Sequence, residues 1–458
     1  MPDLMMLSLE PQRLESGSPE ECATFGQLTI RINGDLLTFG IETEHSGACD
    51  GPYVSGYALA EWFVWNWWRI MWESTDIRQV APYARHGWAL SHHMNTAGDG
   101  YAWPCIEIES DGKYATLTSR PSGETHGTLF RYFGSRCPQT VPVGTFEAAV
   151  DEFVEDMLSR LNASGVNDTN LHVLWRDLNR EREQDEVARY RKLEAMFGYD
   201  ADEIDDKMIT DRLEEADYLG KEALAELIGN EAILRTFRKD RSWYQEIEKR
   251  AAGGFDMNAE NALHLDDLSN IPPYGSVHAW KFGQTLAQAL RQQERINDHC
   301  ISHEQLASYA GTVSGIISDR PKRRSDLPFV LNKINGASKV TLRSRWVAGR
   351  RFELARLIGD QVVHRQIEDT NERLYPATFS YSYRQKMQRA FAAEFLCPFQ
   401  AVKEMVGDNP SEEKQTEVAN LFKVSERTVR TQLVNNHILH IEDAPDIVGR
   451  GGPNQAFH

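Results

Sequence analysis

Residues 1 to about 150 alternate apolar and polar positions in short runs separated by turn residues. "WPCIEIESDGKYATLTS" does so on both sides of Asp111-Gly112, and "QLTIRINGDLLTFGIE" does so around Asn33-Gly34. Glycine tolerates the positive φ of a tight hairpin turn, so both stretches are expected to be β-hairpins. Between them, "YALAEWFVWNWWRIMWE" holds five of the eleven tryptophans and neither Pro nor Gly. Glu61, Asn66, Arg69 and Glu73 mark a partial polar stripe along it, which predicts a mostly buried helix packed on the sheet.

The period then changes. "TFEAAVDEFVEDMLSRL" repeats apolar residues at helical spacing, and the charged, Ala/Leu-rich chain from 146 to 240 reads as an acidic helical connector broken near Gly198 and Gly220. Residues 241–275 are looser, and "SNIPPYGS" marks a linker. The expected fold class is α+β: a β-rich N-terminal domain over 1–145 with its Trp-rich helix, the helical acidic middle, a C-terminal domain over 276–440 and a tail over 441–458.

A chain of 458 residues exceeds what one hydrophobic core usually organises. No apolar run approaches the ~18 residues of a spanning helix, and the N-terminus lacks the basic start and apolar stretch of a secretory signal. A cytoplasmic location without membrane contact is therefore expected. Six singly spaced cysteines make neither a zinc ribbon nor a disulfide framework, and most are expected to be small buried hydrophobes. The net charge of −18 is uneven: residues 321–440 hold 20 Lys+Arg against 13 Asp+Glu, whereas residues 1–320 carry −23. A basic end on an acidic body points to contact with nucleic acid or an acidic partner, or simply to a solvated basic face.

Two histidine pairs carry candidate chemistry. In "SHHMNTAGDGYAWP", His92, His93 and Asp99 form a candidate N-terminal site, although adjacent histidines in an extended strand face opposite ways and Gly98-Asp99-Gly100 reads as a turn. His299 and His303 have i, i+4 spacing, but Ser302 reads as an N-cap that would place a loop between them, and no Glu follows the first His.

The last third holds three motifs in order: "KVTLRSRWVAGRRFELARLIGDQVV", "RAFAAEFLCP" and "TEVANLFKVSERTVRTQLVNNHIL". With the lead-in "LAQALRQQERINDHCISHEQLASYAG", they resemble the ImmA/IrrE family of zinc metallopeptidase-like proteins over roughly residues 275–440. The resemblance implies a zincin-like domain whose active-site helix binds zinc through two His at i and i+4, with a Glu as general base. In that frame this chain has Arg356 and Asp360 at the His positions, Leu357 at the Glu position and Met387 at the third ligand position. Arg has only donors and stays protonated, so the Arg356-Leu357-Ile358-Gly359-Asp360 stretch is expected to be a degenerate metal site with no metal or other cofactor. One turn apart on one face, Arg356 and Asp360 are expected to pair as a polar plug.

The third motif reads as a helix-turn-helix over 416–436. Val418, Ala419, Leu421 and Phe422 give the apolar spacing of its first helix, Ser425 caps the second, in which Val429 and Leu433 face in, and Arg427, Thr428, Arg430, Thr431 and Gln432 are expected to face outward toward duplex DNA. Lys322, Arg323, Arg324, Arg343, Arg345, Arg350 and Arg351 could track phosphates. The resemblance implies a non-catalytic regulatory protein recognising DNA or a repressor- or toxin-like partner in bacterial stress response, mobile elements or antiviral defence. The alternative is a metal-dependent hydrolase or peptidase with an atypical site.

Overall fold

The computed structural model describes residues 4–43, 47–74, 82–123, 129–135, 137–230, 233, 242–319, 326–332, 338–368 and 372–439. These residues form an α+β chain with four small antiparallel sheets and many helices. The chain divides into two compact units, 1–209 and 210–458, and the division falls inside the stretch expected to be a connector. Lys322, Arg323, Arg324 and the tail lie outside the described residues. Among the described residues no helix is long and apolar enough to cross a membrane.

In the first unit, strand Met5–Pro11 pairs with Phe25–Ile32, and burial alternates along both as the period-2 pattern requires. Leu28, Ile30 and Ile32 are fully buried and share a core with Phe146, Phe153 and Met157 of helix Val143–Ala163. The two expected hairpins form. Ile106–Ser110 pairs with Tyr114–Ser119 across Asp111-Gly112, and Asn33 and Gly34 turn the chain with φ of 51° and 91°.

The tryptophan helix spans Gly56–Trp72, but its polar stripe is not a solvent face. Asn66, Arg69 and Glu73 are buried, because Arg69 Nε donates to Glu73 at 2.7 Å and Arg69 Nη1 to Asp200 at 3.0 Å. Helix Pro82–His92 covers the stripe, with His92 Nε2 3.2 Å from Glu73, while helices Val143–Ala163, Asn170–Glu183 and Asp185–Met196 meet Trp67, Trp68 and Trp72 through Phe146, Glu181 and Lys192. The exposed position is Trp65 instead.

The second unit carries a sheet in the order Phe255–Met257, Ser338–Thr341, Phe329–Leu331, Leu374–Pro376. Its first strand, and helix Trp243–Ala251 before it, lie where the sequence suggested a linker. The central helix, Val347–Val362, runs on through a π-helical turn at Val363–Ile367 and is buried over most of its circumference. Two glycines permit the close packing around it. A Cβ on Gly359 would meet the Phe391 ring at 2.5 Å, and one on Gly283 would meet the Met387 carbonyl oxygen at 2.5 Å. Helices Ala279–Gln293, Tyr383–Leu396 and Val347–Val362 are thereby stacked against one another.

The helix-turn-helix forms from Glu412–Phe422 and Glu426–Asn435. Lys423 turns the chain in the left-handed conformation, and the Ser425 hydroxyl accepts from the Thr428 N–H at 3.2 Å. Ser302 likewise caps helix His303–Tyr309 in a reciprocal box with Gln305, so His299 lies outside that helix. The cysteines depart from expectation. Only Cys397 is buried, Cys22 and Cys137 are exposed, and all six are free.

Candidate functional site

The central helix brings Arg356, Leu357 and Asp360 into the interior of the second unit. Arg356 and Asp360 do not pair with each other. Both Asp360 carboxylate oxygens accept from Arg384, Oδ1 from Nε at 2.8 Å and Oδ2 from Nη2 at 2.7 Å, a two-pronged ion pair on the facing helix. The remaining prong of Arg384, Nη1, donates to Glu372 at 2.7 Å. Arg356 points to other acceptors: its Nη2 donates to the Thr378 carbonyl at 2.6 Å and to the Gln385 side-chain oxygen at 2.5 Å. The expected pair fails because Arg384 reaches Asp360 head-on, whereas an Arg preceding an Asp by one turn is the weaker helical order.

Two more carboxylates complete the cluster's connections. Glu372 accepts from the backbone N–H of Glu222 at 2.9 Å and of Ala223 at 3.1 Å, which caps the start of helix Lys221–Ile228. From that helix, Glu226 reaches back and accepts from the hydroxyls of Ser380, at 2.6 Å, and Ser382. His364, in the π-helical turn, places Nε2 3.5 Å from Asp360 Oδ1.

The electrostatics follow from burial and partners. Burial pushes the Asp360 carboxyl up, but Arg384 overrides it and holds the group below its usual range. Burial lowers Arg384 while Asp360 and Glu372 raise it further, so it stays firmly protonated. Burial raises Glu226 and Glu372. Burial, then Arg389, pulls the Arg356 guanidinium below its usual value. His364 is driven down to about 3 by burial and by Arg384, and is neutral at pH 7.

These residues do not suit a metal ion. Asp360 has both oxygens engaged, Arg356 offers only donors, and Leu357 can activate no water. Met387 is fully buried, and the side chains of its helix that reach the site are those of Arg384, Gln385 and Gln388. Arg384, Gln388 and Phe391 recur at i, i+4, i+7, the stripe that faces the central helix, and this spacing was the available signal for Arg384. Glu226 and Glu372 have no local signal, since they lie far along the chain from the segments they bind.

The helix-turn-helix surface differs from expectation at one position. Gln432 is buried, its amide nitrogen donating at 3.2 Å to both Glu394 and the Cys397 carbonyl. Arg427 is exposed, Arg430 donates to Gln415 at 3.1 Å, Thr428 meets Ser425 and Thr431 donates back to the Arg427 carbonyl. Leu421 adds an exposed apolar position to the first helix. Arg350 and Arg351 are unavailable to phosphates, being buried against backbone carbonyls: Arg350 binds those of Ile317, Ser344 and Arg345, and Arg351 those of Ile301, Phe422 and Lys423.

The N-terminal candidates do not assemble. His92 ends helix Pro82–His92 instead of lying in a strand, stacked on Trp88 at 3.5 Å, with Nδ1 2.8 Å from the Ile108 carbonyl and Nε2 3.2 Å from Glu73. Both ring nitrogens are thus engaged. His93 leaves the helix to bridge Glu107. Asp99 sits in the expected turn, φ 55°, beside the tryptophan helix, in a recess that neither histidine lines. No family model, curated protein or solved structure matches the chain.

The depressed His364 gives a pH prediction. Its folded value, about 3, lies below the usual unfolded value, so the stability it contributes is complete above about pH 6.5 and is lost as pH falls toward 3. Urea unfolding at pH 7 and pH 5 is expected to show a steeper loss for the native chain than for His364→Gln. Equal slopes would contradict the assignment.

Proposed function

We propose that the second unit is a non-catalytic recognition module built on a zinc metallopeptidase-like fold of the ImmA/IrrE kind, in which an ion bridge has replaced the metal. The observation that carries this reading is the two-pronged Arg384–Asp360 pair at the place where the resemblance puts a metal ligand. A zinc ion could capture Asp360 only by displacing a buried guanidinium, and the neighbouring ligand position holds a second guanidinium. On this reading the protein works in the cytoplasm by binding. Its setting is bacterial stress response, mobile-element control or antiviral defence, where members of the resembling family act on repressors.

A repressor- or toxin-like protein partner fits the surface better than duplex DNA. Of the residues expected to touch DNA, Gln432, Arg350 and Arg351 are buried. The first helix of the helix-turn-helix presents Glu412, Glu413 and Glu417, and Glu426 opens the second. Such carboxylates repel a phosphate backbone. The hydrolase alternative loses its best ligand, because His92 is committed to Ile108 and Glu73.

Two measurements test the proposal. After exposure to zinc and dialysis, the purified chain is expected to retain far less than one equivalent, unaltered by Asp360→Asn; stoichiometric zinc lost in that variant would overturn the reading. In gel-shift titrations, no salt-dependent complex with duplex DNA is expected near physiological ionic strength. A complex whose log–log salt slope flattens by about 1 for each of Arg427→Ala and Arg430→Ala would instead assign this surface to DNA.

A further inference from the structure

A recess of about 240 Å³ in the first unit joins the two N-terminal motifs that the proposed function leaves unused. The tryptophan helix lends it Glu61, Trp62, Trp65 and Asn66, the Gly98–Gly100 turn lends Asp99, and the first residue of helix Asn170–Glu183 lends Asn170. Trp65 is 63% exposed, whereas Trp62 and Trp67 of the same helix are 6% and 2% exposed. The Trp62 ring is fixed in place, its Nε1 donating to the Leu90 carbonyl at 2.9 Å and to the Thr96 hydroxyl at 3.2 Å.

The polar lining is unbalanced. Asn66 is 93% buried, and its amide nitrogen donates to the Trp62 carbonyl at 2.8 Å. Its Oδ1 has no hydrogen-bond partner among the described residues and keeps solvent access at the recess, where an incoming donor can reach it. Glu61 and Asp99 form no ion pair among the described residues, and neither Lys nor Arg lines the recess. What is missing is a positive charge that also donates hydrogen bonds. Indole faces favour the same occupant through their negative quadrupole. The wider field agrees, since residues 1–209 carry 17 Lys+Arg against 34 Asp+Glu and so hold nearly all of the chain's net charge.

We propose that this recess binds an organic cation bearing N–H donors, an alkylammonium or guanidinium group, with the charge between Glu61 and Asp99, an N–H on Asn66 Oδ1 and the alkyl part against Trp65. The volume is below the ~300–1,000 Å³ of drug-sized sites, which suits one small amine or a single basic side chain of a partner.

Calorimetric titration of the full chain with 1,4-diaminobutane and with N-acetyl-lysine N-methylamide separates the two sources: tighter diaminobutane marks a free amine, tighter capped lysine a partner's side chain, and either supports the proposal. Tetramethylammonium, which has charge but no N–H, is expected to bind about tenfold more weakly than the better of the two. Trp65→Ala and Asp99→Asn, both at exposed positions, are each expected to weaken binding by roughly tenfold without moving the melting temperature. Absence of binding by both amines up to about 10 mM, affinity unchanged in both variants, or equal affinity for tetramethylammonium would overturn it.

Discussion

One guanidinium, that of Arg384, ties together the interior of the second unit. It grips Asp360 on the central helix with two prongs and Glu372 beside the last strand with a third. Glu372 in turn caps helix Lys221–Ile228, and Glu226 of that helix holds the serines that lead into Arg384's own helix. Three segments between Asp360 and Arg384 thus meet a fourth, helix Lys221–Ile228, from far earlier in the sequence. Such a buried pair gives little net stability over a well-packed apolar core, but removing one partner strands the other and costs about 3–5 kcal/mol. The arrangement therefore specifies where each segment sits more than it strengthens the fold.

Other buried arginines show what happens to the positive charge of the C-terminal third. Arg351 binds the carbonyls of Phe422 and Lys423, at the end of the first helix of the helix-turn-helix, and of Ile301 just before the next helix cap. Arg350 closes the loop before the central helix, and Arg356 binds the Thr378 carbonyl. Each guanidinium supplies several donors to carbonyls that helix ends and loops leave open. The local excess of Lys and Arg is thus partly internal. That is why charge counting overstated the basic surface available to nucleic acid.

What was legible in the sequence was local. Turn glycines located both hairpins, apolar spacing located the tryptophan helix, and Ser302 and Ser425 marked helix starts, because each signal is fixed by neighbours within a turn or two. The tryptophan helix is mostly buried as expected, but the partners of its polar stripe, Asp200 and His92, are ones that no local pattern places beside it. The same limit governs the site. Spacing put Arg356 and Asp360 on one face, but their partners are Thr378, Gln385 and Arg384, brought in by helix packing across Gly359. Gln432 sat at an outward position by helical count and was drawn inward by Glu394 and Cys397.

Asp360 and Arg384 form one buried unit at the centre of this interior. A double-mutant cycle of Asp360→Asn, Arg384→Met and the pair, followed by urea unfolding at pH 7, measures that coupling directly. A coupling energy of about 2–3 kcal/mol is expected, with the double variant far less damaged than the sum of the singles. Effects that add to within about 0.5 kcal/mol would contradict it.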